Sequence, residues 1–265
     1  MLWVLATGAA AAADLVPAPP WFEQAYWDQL VFGCIEHPDL CRPDNPNGRT
    51  VPTTDRVSTM DIHLVSETDP PLPQRWEDAY RRVIPFLMTE FAGGRRWSGS
   101  LTTGSVPLER PGVIDIVFLP DGCASGGFWG GGGDWVRGIV RLSMRQDQGP
   151  PDWCLRTVLL AHELGHVTGL QHVDDPDDFM CTDPTSRTGR CDGHAWSQPF
   201  DGQPVFSERQ RLHIGLARQV ADAEGGWFNW PGVDIDSVPA LPTATLLLAA
   251  LIMAAMRRLA AVRRR

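Results

Sequence analysis

Lysine is absent from this 265-residue chain: all 23 basic residues are arginine, and 32 acidic residues outnumber them. Five of the arginines lie beyond residue 256, so residues 1–256 carry 18 arginines against 32 acids, a net of −14. A body that acidic repels a phosphate backbone, which excludes nucleic acid as a partner. The missing lysine also removes a nucleotide reading of the one glycine-rich run, from Gly126 to Trp135, because a phosphate-binding loop needs a lysine and a helix after it. That run reads as a loop over a cleft rim, with Phe128, Trp129 and Trp135 able to touch substrate or to pack beneath the loop. Tyrosine is scarce: Tyr26 and Tyr80 are the only two, so none follows residue 80 to ligate a metal. A hydrophobic content of 43% excludes a disordered chain, and the length suits one full-sized domain with short appendages.

Histidine is sparse as well, seven in all, yet three fall in the stretch His162-Glu163-Leu164-Gly165-His166-Val167-Thr168-Gly169-Leu170-Gln171-His172. One helical turn separates His162 from His166, so both imidazoles project from one face and can reach one ion. Gly169 can take the left-handed conformation that ends a helix, after which the chain doubles back and delivers His172 as a third nitrogen. Three neutral ligands with an open fourth position describe a catalytic zinc site rather than a structural one. Glu163 stands beside the ligands as a candidate proton carrier. A plain amphipathic helix with core histidines gives no reason for the third histidine and the glycine to fall at those offsets. His37, His63, His194 and His213 read as structural or exposed.

These residues resemble the signature of the metzincin metalloproteases, H-E-x-x-H-x-x-G-x-x-H followed by a methionine turn, here at Met180. The eight-residue step from His172 to Met180 is most similar to the matrixin branch, although Val173 stands where matrixins carry serine, and Cys181-Thr182 follows the methionine where a tyrosine is common. The resemblance spans residues 57–225 and implies an α+β fold, with a mostly parallel twisted sheet, a backing helix, a zinc helix and a C-terminal helix. It implies a zinc endopeptidase acting on a protein or peptide, with His162, His166 and His172 on the metal, Glu163 as catalytic base and Met180 packed beneath.

Periodicity places the elements. Met60 to Val65, residues 98–103 and Val113 to Leu119 read as strands, and Gln74 to Phe91 as a helix that Pro85 kinks or shortens. Ile139 to Met144 splits by face and reads as a half-exposed strand, similar to the metzincin edge strand that pairs with substrate. The zinc helix is expected from Asp152 to Val167. Ser207-Glu208-Arg209-Gln210 is a capping-box pattern opening a helix to about Ala223.

The remaining segments concern export and cross-linking. Residues 1–13 form an apolar run ending in an A-x-A site, as a signal peptide does, and residues 14–56 form an N-terminal segment readable as a propeptide. Six cysteines suit an oxidising compartment. Cys34 with Cys41 and Cys181 with Cys191 would close local loops, which leaves Cys123 with Cys154, one of fifteen pairings. In the alternative, a thiolate of the CRPDNP segment would occupy the open zinc position as a latency switch. Asp174, Asp175, Asp177 and Asp178 are dense enough for calcium, at a spacing that matches no EF-hand loop. Residues 226–236 read as a linker. In the tail, 237–265, a charge-free run of twenty residues precedes Arg257, Arg258 and Arg263 to Arg265. That pattern predicts a membrane anchor with its arginines in the cytoplasm, or a sorting signal around Val238 to Pro242 that a sorting protease cuts. The protein is therefore expected at the cell surface or, after processing, secreted.

Overall fold

Seven residues from Val113 to Leu119, nearly all apolar, have to be buried on both faces, and they occupy the middle of a five-stranded sheet. The computed structural model describes residues 23–36, 38, 49–51, 55–66, 71–120, 124–129, 137–143, 153–182, 191–224 and 228–230. These lie within one unit, residues 21–232. The expected signal peptide and the tail 237–265 fall outside the described residues. Among the described residues, no helix is long and apolar enough to cross a membrane.

The elements, in chain order, are helix α1 (Gln24–Phe32), strand β1 (Arg49–Val51), β2 (Asp61–Ser66), α2 (Gln74–Phe91), β3 (Leu101–Gly104), β4 (Val113–Leu119), β5 (Ala124–Trp129), β6 (Arg137–Ser143), α3 (Thr157–Val167), α4 (Glu208–Glu224) and β7 (Phe228–Trp230). Their order in the main sheet is β3-β2-β4-β6-β5. Strands β2, β3, β4 and β6 are parallel, and β5 joins the end of the sheet antiparallel to β6. The architecture is α+β, with a mostly parallel sheet, a backing helix, a helix bearing the histidine pair and a C-terminal helix, as the sequence predicts.

Helix α2 buries Trp76, Tyr80, Val83, Ile84, Leu87 and Phe91, a stripe at helical spacing. It runs unbroken through Pro85. Tyr80 stacks on Phe118 of β4 at 5.5 Å between ring centroids and donates its hydroxyl to the Leu155 carbonyl at 2.6 Å, tying the sheet to the entrance of α3. Helix α3 lies close on β6, where a side chain at Gly138 would come within 2.3 Å of Val167. Helix α4 opens with the reciprocal capping box: the Gln210 amide N–H donates to Ser207 Oγ at 3.1 Å, and the Ser207 N–H donates to Gln210 Oε1 at 2.7 Å.

Three expectations are corrected. One edge of the sheet is β5, so four of the ten residues of the glycine-rich run expected as a loop, 126–129, are strand, and β6, expected at the edge, is interior. Its Ile139 and Ser143 are buried along with Val140 and Leu142, and of the face expected to be open only Arg141 is exposed. Helix α3 begins at Thr157, not near Asp152, after a single 3-10 turn at Trp153–Leu155. Residues 228–230, inside the stretch expected as a linker, pair antiparallel with β1, Arg49 opposite Trp230.

Candidate metal centre

The three histidines converge. The Nε2 atoms of His162 and His166 are 3.1 Å apart, those of His166 and His172 3.1 Å, and those of His172 and His162 3.2 Å. Each Nδ1 faces an acceptor of its own: the Phe179 carbonyl for His162 at 2.7 Å, the Leu170 carbonyl for His166 at 3.0 Å, and the Glu36 carboxylate for His172. A carbonyl or carboxylate can only accept, so each imidazole carries its proton on Nδ1 and presents a bare lone pair at Nε2. Three lone pairs aimed at one another cannot be hydrogen-bonded among themselves. A cation satisfies all three, and tetrahedral zinc, with Zn–N near 2.0–2.1 Å, spaces its nitrogens about 3.3 Å apart. The donor set therefore fits zinc.

Burial keeps His162 and His166 neutral. It drives His162 well below its ordinary pKa and His166 down to about 4, the unprotonated form that a metal requires. His162 is buried while His166 and His172 are half-buried, so the cluster opens to solvent on one side. Glu163, buried on the same helix, has its carboxyl pushed up to about 7 by burial.

Local chain geometry accounts for the convergence. Gly169, at φ 99°, turns the chain out of α3, with the Gly169 and Leu170 amides capping the His166 and Gly165 carbonyls at 3.0 and 2.9 Å. Met180 packs against the helix between the first two histidines: a Cβ on Gly165 would meet its Sδ at 2.6 Å. The turn before Met180 is held by buried Asp178, whose Oδ1 accepts the Met180 N–H at 2.7 Å and the Gln210 amide, and whose Oδ2 accepts the Tyr26 hydroxyl at 2.7 Å. Its carbonyl accepts Trp196 Nε1 at 2.6 Å, and that indole ring lies 6.0 Å from His162 and under the Arg156 guanidinium. Cys181 is bonded to Cys191 directly after the turn.

The sequence singles out His162, Glu163, His166, Gly169, His172 and Met180, and the fold brings them together. It does not single out Glu36, Tyr26, Gly165, Phe179 or Trp196 for the site, and it marks Gln210 only as a capping-box residue. Only Gly165 has a local signal, being a glycine between two histidines on a helix. Cys34 and Cys154 are both disulfide-bonded, which leaves Cys34 no thiolate for a switch, and Cys41 and Cys123 lie outside the described residues. Among the described residues only the three histidines bring three or more ligand atoms together, and the acidic turn is spent on protein donors instead. Asp175 takes Arg209, and Asp177 takes the amides of His194 and Ala195. His63 and His213 are buried and hydrogen-bonded, His194 is exposed, and His37 lies outside the described residues. Nothing is described of the side chains of Phe128, Trp129 or Trp135.

No family model matches the chain, and no curated protein matches it. Among solved structures, the metalloproteinase-II of Bacteroides fragilis matches 66% of this chain at 14% identity and a TM-score of 0.35, the match spanning 58% of that structure's length. A likeness of that degree assigns neither fold nor activity.

Proposed function

We propose that this protein is an exported zinc-dependent endopeptidase of the metzincin type, nearest to the matrixin branch. The observation that carries the proposal is the triangle of Nε2 lone pairs, each fixed by its own Nδ1 acceptor, with a buried carboxyl on the next residue of the helix. His162, His166 and His172 would hold the zinc, which when bound polarises the scissile carbonyl and acidifies water. Glu163 takes the proton from the attacking water and passes it to the leaving amine. A carboxyl held near pH 7 by burial suits both directions of that transfer, and a neighbouring divalent cation would favour its ionised, accepting form. Strand β5, at the edge of the sheet and beside α3, has one side that pairs with no other strand among the described residues, and an extended peptide can add there as another strand.

Export is supported by the apolar first 13 residues, by the disulfides, and by the charge-free run with its arginine cluster in 237–265. Metal analysis and casein digestion by the purified protein test the proposal. One zinc per chain with cleavage at many sites supports it. Zinc with cleavage confined to cell-wall peptides would favour a hydrolase of another amide, and zinc with no cleavage a binding module.

A further inference from the structure

His172 lies in a stretch, residues 170–174, that belongs to no helix and whose only strand-like contact is the bridge from Val173 to Cys181. Both flanks of the histidine are held by α1. The Leu30 carbonyl accepts the Gln171 N–H at 2.7 Å, and Gln29 Oε1 accepts the Asp174 N–H at 3.1 Å. Gly33, which ends α1, lies against the Gln171 side chain. The turn that follows then brings Glu36 onto Nδ1 of His172, and Cys34 in the same turn is tied by a disulfide. Helix α1 is itself fixed from the other side. Tyr26, Trp27, Leu30 and Val31 are buried, Tyr26 donates to Asp178 under the methionine turn, and Arg209 of α4 pairs with Glu23 at 3.1 Å while covering the Tyr26 ring.

We propose that Glu36 is the positioning carboxylate of the metal centre, orienting His172 through Nδ1, and that α1, which carries it, remains in the mature protein as part of the site. This rests on the zinc reading above. A carboxylate on the far nitrogen of a ligating histidine fixes the ring and raises its basicity, and removing such a partner costs metal affinity. The first two ligands have rigid backbone carbonyls in that role, supplied by the methionine turn and the end of α3. The third depends on a side chain from a segment 136 residues away. A propeptide that left on activation would take Glu36 and the acceptors for residues 171 and 174 with it.

Zinc affinity of the purified full-length protein, measured by competition with a chromophoric chelator, and the visible spectrum of its cobalt-substituted form both test this. Glu36→Ala is expected to weaken zinc binding about 10- to 100-fold and to shift the cobalt spectrum, with the circular dichroism of the metal-free protein unchanged. Glu36→Gln, whose amide oxygen still accepts from Nδ1, is expected to recover part of the loss. Affinity in Glu36→Ala within about twofold of wild type overturns the assignment. Wild type that binds no zinc would instead remove the zinc reading itself, so the two failures are distinct. N-terminal sequencing of the native active protein decides independently of folding in any variant. A chain that starts before Tyr26 supports the proposal, and an active chain that starts after Glu36 overturns it.

Discussion

Phe179 and His162 are 17 residues apart in the chain, and the carbonyl oxygen of Phe179 accepts the Nδ1 proton of His162 at 2.7 Å. The turn that carries Met180 thus sets the tautomer of the first ligand, whatever the methionine itself contributes. Gly165 is what lets this turn approach the helix. Gly165→Ala puts a methyl group 2.6 Å from Met180 Sδ and about 3.4 Å from the Phe179 ring, so the turn has to shift. The expected cost is about 1–3 kcal/mol in stability with weaker zinc binding, read by thermal unfolding and chelator competition. A variant unchanged in both would contradict the contact.

Asp178 links the same turn to α1 and α4. Asp178→Ala strands the Tyr26 hydroxyl, the Gln210 amide and the Met180 N–H, and is expected to destabilise the protein by about 3 kcal/mol or more in denaturant titration. Asp178→Asn keeps an acceptor for Met180 and is expected to cost much less.

The same carboxyl gives a pH signature. Burial raises its pKa from 3.8 to about 6 in the folded protein, so the folded state binds this proton more tightly than the unfolded state does. Stability from this group therefore falls as pH rises from about 4 to about 6 and is level above. His162, His166 and His213, whose pKa values burial lowers, act over part of the same window with opposite sign. The measurement is therefore the difference between wild type and Asp178→Asn in the metal-free protein: the wild type's relative stability is expected to decline across that window, and a flat difference would contradict the assignment.

The Cys181–Cys191 bond closes a ten-residue separation right after Met180. Replacing both cysteines by serine is expected to cost about 2–3 kcal/mol, measured by unfolding with and without zinc.

For the tail, intact-mass measurement of the native protein separates the two proposed outcomes. A membrane-bound chain ending at Arg265 means an anchor, a chain ending near Pro242 means processing, and full-length protein wholly in the soluble fraction would contradict both.

Much of this site is legible in the sequence because its key geometry is local. The helical turn from His162 to His166, the helix-ending Gly169 and the return to His172 all lie within eleven residues, and the capping box at Ser207 within four. The acceptors behind the histidines are not legible, because Phe179, Leu170 and Glu36 reach Nδ1 through backbone oxygens or from far along the chain. The edge strand was hidden for another reason: Gly126 and Gly127 carry no strand propensity, and β5 exists because β6 supplies its ladder. Alternation in β6 suggests an open face, but whether a strand face is covered depends on what packs there, which alternation alone does not reveal.

In the proposed mechanism Glu163 moves a proton and does not hold the metal. The direct test is zinc content together with casein cleavage in Glu163→Ala beside wild type. Retention of one zinc per chain with activity reduced by about 100-fold or more is the predicted result. Full activity in Glu163→Ala would contradict the mechanism.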